Sequence, residues 1–140
     1  MIGSIRHSYR SKSAGGALVS DLAPFLPIEL KRNGVSLQVE ALVDSGSDLS
    51  ILPCSMGKLF GVAWDSLNVP GSVKGSAGHV AGKIMVLSGH VKPFAPVDLL
   101  FLWVQTDGFP LIFGQANFFL EFDVCFFRFQ AQFQVQPRTP

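Results

Sequence analysis

The sequence predicts an all-β domain, and three observations carry that expectation. Apolar and polar residues alternate on both sides of Asn33-Gly34. A second strict alternation runs from Phe127 to Val135. No helical stripe extends beyond Gln115 to Phe122.

The elements follow in order. Residues 1–23 show no period and many small polar residues, so a flexible N-terminal arm is expected there. From Phe25 to Arg32, Ile28 and Leu30 share one face, and Glu29 and Lys31 share the other. Asn33-Gly34 is a two-residue hairpin signal because both residue types tolerate positive φ. The return strand alternates Val35, Leu37, Val39 and Ala41 with Ser36, Gln38 and Glu40, then enters Val43-Asp44. Ile51-Leu52 is a short strand ended by Pro53. A turn or two of helix is expected over Ser55 to Phe60, before Gly61.

Residues 69–82 are rich in glycine and suit a mobile hairpin. Lys83 to Val91 and Val97 to Gln105 read as strands. The second is apolar on both faces and should be buried on both. Leu111-Ile112-Phe113 is another apolar run, ending at Gly114. A helix is expected over Gln115 to Phe122, with Ala116, Phe119 and Leu120 on one stripe. Nothing between Phe127 and Val135 breaks the alternation, which leaves one long strand and two bent ones equally open. Residues 137–140 read as a loose tail, and residues 24–136 as one domain.

Composition bounds the function. Of 140 residues, 48% are hydrophobic and 15% charged, which excludes a disordered chain. A chain of this size buries roughly two-thirds of its unfolded surface without staples. Thirteen Phe against one Tyr point to dry packing surfaces, core plus a subunit interface. The net charge of +1 and the scattered Lys and Arg make no case for nucleic acid. No apolar run reaches the ~18 residues of a membrane span, and Met1 to Ser20 lacks the apolar centre of a secretory signal. A cytoplasmic setting is expected, with Cys54 and Cys125 as reduced cysteines. His7, His79 and His90 have no ligand spacing, so neither metal nor cofactor is expected.

One stretch asks for more than packing. Ala41-Leu42-Val43-Asp44-Ser45-Gly46-Ser47 ends an apolar strand in a carboxylate beside a glycine corner. A carboxylate there is costly unless something pairs with it, and the glycine lets a backbone or ligand come close. By residue type alone it is equally a plain turn.

The ordered set is more specific. A hairpin strand enters Asp44-Ser45-Gly46, Ile51-Leu52-Pro53 follows, then a glycine-rich hairpin, then Leu111-Ile112-Phe113-Gly114 before a helix. Over roughly residues 24–135 this resembles the retropepsin-like aspartic proteases, the single-domain relatives of pepsin. The resemblance implies a closed β-barrel, active as a two-fold homodimer on protein or peptide substrates. Each chain would supply one Asp44. Two such carboxylates side by side cannot both ionise cheaply, so they share a proton. One then activates a water while the other protonates the scissile carbonyl.

By the same resemblance Ser45 would bond across the dyad and Gly46 would offer its carbonyl to the substrate. Asp48 would bind substrate main chain. Gly75 to His79 (with Ser76, Ala77 and Gly78) would form the flap tip, Ile112 would line specificity pockets, and Gly114 would pack under the active loop. Two positions depart or differ. Gln115 stands where many retroviral members carry an Arg paired to the Asp48-type carboxylate. Ser47 brings a hydroxyl that, donated to Asp44, would favour its charged form and an acid-leaning pH optimum. Two other readings stand beside this one: an inactive dimerisation or interaction module of the same fold, and an unrelated small β-barrel that binds a ligand.

Overall fold

The computed structural model describes residues 3–12, 21–75 and 78–139. It is built mostly of strands. They run β1 (Ile5–Ser8), β2 (Arg10–Ser11), β3 (Leu22–Ala23), β4 (Phe25–Arg32), β5 (Val35–Val43) and β6 (Ile51–Leu52). The short helix α1 (Cys54–Lys58) follows. Then come β7 (Pro70–Gly75), β8 (Gly78–His90), β9 (Val97–Val104), β10 (Ile112–Phe113), the short helix α2 (Phe118–Glu121), β11 (Phe122–Phe127) and β12 (Gln132–Pro137).

The main sheet has seven strands in the order β4-β5-β10-β6-β9-β8-β7. Strand β4 also pairs with β8, Leu30 opposite Gly89, so six strands close into a ring and β7 stays at its margin. The β4–β5 hairpin turns on Asn33 and Gly34, with φ of 52° and 78°, the left-handed pair that a two-residue turn requires. Inside the ring lie Leu26, Ile28 and Leu30, all buried, while Pro27 and Lys31 on the alternate face are exposed.

The two faces of β9 serve two cores. Leu99, Phe101 and Trp103 join the main core. Leu102 and Val104 pack with Ile51, Val73 and Ile112 under the β7–β8 hairpin. Burial on both faces holds from Phe101 to Val104 but fails at Leu100, which is 40% exposed. Much of the phenylalanine excess is core. Phe113 stacks on Phe118 at 4.3 Å between centroids, and Phe118 on Phe122 at 5.0 Å. Phe129, by contrast, is fully exposed.

A second sheet, β1-β12-β11, corrects three expectations. First, the N-terminal segment is not without structure. Ile5–Ser8 pairs with β12, Ile5 opposite Val135 and His7 opposite Phe133, and Arg10–Ser11 pairs with Leu22–Ala23. His7 stacks on Phe133 at 5.5 Å, while Arg6 lies over the Phe127 ring at 4.2 Å. The inward face is thus one Ile and one His, too little apolar signal to read as a strand. Residues 13–20 of that segment lie outside the described residues.

Second, the alternation over 127–135 is two strands. A 3-10 turn at Arg128–Gln130 reverses the chain, and Ala131 takes the left-handed conformation (φ 50°) that no glycine or asparagine announced. Third, the tail is held. Pro137 ends β12, the Arg138 amide donates to Glu121 O at 3.0 Å, and Thr139 Oγ1 donates to Asp123 at 3.3 Å.

His7 has a consequence for stability. Its Nε2 is buried with no hydrogen-bond partner among the described residues, and burial lowers its pKa below the usual 6.5. It shares with Glu29, Gln38, His90 and Lys92 the lining of a cavity of about 200 Å³. A histidine with a depressed folded-state pKa favours the fold fully above its unfolded value, and that contribution is lost as pH falls below it. Chemical denaturation of the wild type should therefore show stability declining as pH drops through 6.5. In His7→Phe, which keeps the stacking, the decline should be shallower. Equal pH slopes would contradict this assignment.

Candidate active site

The site grows from the way three strands meet. Val43, buried, ends β5, and the Asp44 amide donates to Phe113 O at 2.9 Å. Strand β10 runs parallel to β5, with Phe113 opposite Val43, and antiparallel to β6, with Ile112 opposite Ile51. It therefore lies between the strand that enters the 44–50 loop and the strand that leaves it. Asp44 projects from the end of this three-strand layer.

The loop is tied internally. The Gly46 amide donates to Asp44 Oδ1 at 3.0 Å, an Asx turn, and the Ser47 amide to Asp44 O at 3.1 Å. It is also tied to the segment after β10. The Gln115 amide donates to Ser47 O at 2.8 Å and the Ala116 amide to Asp48 O at 3.0 Å. Gln115 Nε2 donates to Ser45 O at 2.7 Å. Ser50, 1% exposed, accepts the Gly114 amide on its Oγ at 3.0 Å. Gly114 lies against the loop so closely that a Cβ there would come within 2.7 Å of Ser47 O.

These bonds explain why the helix expected over Gln115 to Phe122 begins only at Phe118. The amides of Gln115 and Ala116 are taken by the loop, and Ala116 bridges Leu49 in parallel fashion. Tertiary pairing overrides the helical preference of that stretch.

Asp44 opens onto a cavity of about 260 Å³. Gly46 and Ser47 line it on the loop side, Ile51 and Ile112 form its strand wall, and Val73, Lys74 and Val80 come from the β7–β8 hairpin. Phe109, from the segment before β10, completes the lining. Among the described residues, Asp44 is the only carboxylate that lines this cavity.

The other expected positions are placed as follows. Ser45 is exposed at the corner of the loop. Asp48 is exposed, and its main-chain carbonyl, rather than its side chain, takes part in the loop bonding. Gln115 turns to Ser45 instead of Asp48 and clamps the loop there. Gly78 pairs with Gly75 and His79 with Lys74 across the hairpin, and His79 is exposed. Ser76 and Ala77 lie outside the described residues. Ser47 requires a correction. Its hydroxyl donates to Leu49 O at 2.6 Å. A hydroxyl has one proton to donate, so it is not available to Asp44, and the acid-leaning optimum argued from it loses its basis.

Sequence reasoning missed Ser50, Lys74 and Phe109. A serine one position before a short strand carries no signal of its own, and nothing in the sequence places Phe109 against Asp44. Val73, Lys74 and Val80 flank the glycine-rich centre, and the pairing Val73–Val80 across a hairpin is the signal that would have put them in the wall. Among the described residues, no group of three His, Cys, Asp or Glu side chains is placed to hold a metal ion. A scan against protein-family models finds no match, and a search of curated proteins finds none either.

Ser50 gives this arrangement a direct check. Ser50→Ala removes the acceptor of a buried amide, and leaving such a donor unsatisfied costs about 1–3 kcal/mol. Urea unfolding should show a loss of that size. A loss within experimental error of zero would mean that the Gly114 amide does not depend on Ser50.

Proposed function

We propose that this chain is an aspartic endopeptidase of the retropepsin-like kind, working as a two-fold homodimer. The carrying observation is the placement of Asp44: held by hydrogen bonds at the end of β5, at the mouth of an apolar cavity covered by the β7–β8 hairpin. The closed ring of six strands and the insertion of β10 support the same reading.

The dimer follows from chemistry. Hydrolysis of a peptide by carboxylates needs one group to take a proton from water and another to protonate the carbonyl oxygen. The cavity supplies a single carboxylate per chain, so the second must be the Asp44 of another copy. Ser45 and Gly46, exposed beside Asp44, form the corner at which the two loops would meet. The paired carboxylates hold one proton between them. The ionised member takes a proton from the water as its oxygen attacks the scissile carbon. The protonated member gives its proton to the carbonyl oxygen. Collapse of the tetrahedral intermediate then breaks the C–N bond, with a proton passing to the amine.

The substrate would lie extended beneath the hairpin, its main chain bonded like an added strand and its apolar side chains against Ile51, Val80 and Ile112. Gly46 O and Asp48 remain the positions proposed to hold substrate main chain, with the hairpin tip at 75–79 closing over it. The proposed setting is the cytoplasm, where the thiols of Cys54 and Cys125, which form no disulfide, would stay reduced.

The test compares wild type with Asp44→Ala on an unstructured protein from acid to neutral pH. Cleavage should fall at least about 10²-fold, the ordinary contribution of one general acid–base group. Cleavage that survives the substitution would rule out Asp44 as the catalyst.

A further inference from the structure

The cavity beside Asp44 carries one side chain that the mechanism does not use. Lys74, on β7, is exposed and lines the cavity from the hairpin side. It is the only cationic residue in a lining that is otherwise apolar apart from Asp44, Gly46 and Ser47. Among the described residues, its ammonium group has no hydrogen bond or ion pair. Lys83, farther along the same hairpin, is the contrast. Its Nζ donates to Trp64 O at 3.0 Å and sits 5.0 Å from the Trp64 ring centroid, so that cation is already occupied.

An uncommitted ammonium on a flexible four-carbon stem beside an apolar cavity is a point charge available to a ligand. The neighbouring walls sort the ligand further. Val73 and Val80, paired across the hairpin, face the apolar residues Ile51 and Ile112, so the part of the ligand seated in the cavity is apolar. From this we infer that Lys74 makes the site select peptides in which an acidic side chain lies close to an apolar residue. The inference rests on the endopeptidase reading for its choice of an extended peptide as occupant. The lysine supplies the preference for Glu or Asp on that peptide.

The expected size is modest because Lys74 is solvated. Exposed ion pairs are worth a few tenths to about 1 kcal/mol, which corresponds to a preference of roughly two- to fivefold, weakened by salt. In the two-fold dimer each subunit contributes one Lys74, so the preference should appear at a flank position on either side of the central apolar pair and not at all positions.

The experiment measures binding and not turnover. Short reduced-amide peptides with an apolar pair at the centre and an amidated C terminus carry a single Glu or Gln walked along their flanks. Affinities are measured at low ionic strength for the wild type, Lys74→Gln, Lys74→Glu and Asp44→Asn. At a flank position on either side of the central pair the wild type should bind the Glu peptide about threefold more tightly than its Gln counterpart. Lys74→Gln should abolish that difference, Lys74→Glu should reverse it, and Asp44→Asn should retain it. Equal affinities at every position, a preference unmoved by Lys74→Gln, or no binding of any peptide would each overturn the inference. The ordinary-amide versions of the same peptides separate it from the catalytic reading. A binding preference without cleavage would sink the endopeptidase and leave the role of Lys74 standing. Cleavage that ignores the Glu-for-Gln exchange would do the opposite.

Discussion

Strand β10 passes between β5 and β6, and the position of Asp44 depends on that passage. Three backbone segments converge where the 44–50 loop crosses Gly114, and the convergence is possible because residue 114 has no Cβ to meet the carbonyl of Ser47. The bonds made there are reciprocal. The loop takes the amides of Gln115 and Ala116, and Ser50 takes that of Gly114, while the amides of Asp44 and Ser50 donate to Phe113 O and Ala116 O, so each segment satisfies donors of the other. A carboxylate on such a loop has little freedom to move. The proposed mechanism requires that of a group meeting a second carboxylate at hydrogen-bond distance.

The remainder of the fold serves this junction. Closure of β4 on β8 makes the ring against which the junction is braced, and β9 links its two cores, one inside the ring and one under the β7–β8 hairpin. The second core is small. It holds the hairpin over Asp44 through Val73 while leaving a cavity between hairpin and loop. The sheet formed by β1, β12 and β11 lies apart in the topology and gathers both ends of the described chain. Its inward-facing His7 is buried without a hydrogen-bond partner among the described residues and does not line the Asp44 cavity.

Much of this was legible in the residues, for identifiable reasons. Asn33-Gly34 announces its turn because few other pairs accept positive φ twice. Asp44-Ser45-Gly46 and Leu111-Ile112-Phe113-Gly114 stand out as an ordered set with the glycine-rich hairpin between them, because the first alone also reads as a plain turn. What was hidden depends on distant partners or on choices among equal local options. The Ser47 hydroxyl has two acceptors within reach of its chain segment, and periodicity says nothing about which it takes. Gln115 and Ala116 look helical until their amides are claimed by a loop that lies about seventy residues earlier in the chain. β1 escaped notice because a histidine occupies one of its inward positions, and the 128–131 reversal because alanine occupies its left-handed position. The cavity wall was legible only in part: Ile112 and the hairpin that carries Lys74 by pattern, Phe109 by geometry alone.

The central claim is that one active site contains two copies of Asp44, and mixing tests it most directly. Wild-type chains are combined with increasing proportions of Asp44→Asn under conditions that let subunits exchange, and cleavage is followed at constant total protein. If each site needs both carboxylates, activity falls as the square of the wild-type fraction, because mixed dimers are inactive. A linear decline would mean that one chain works alone, and would contradict the account.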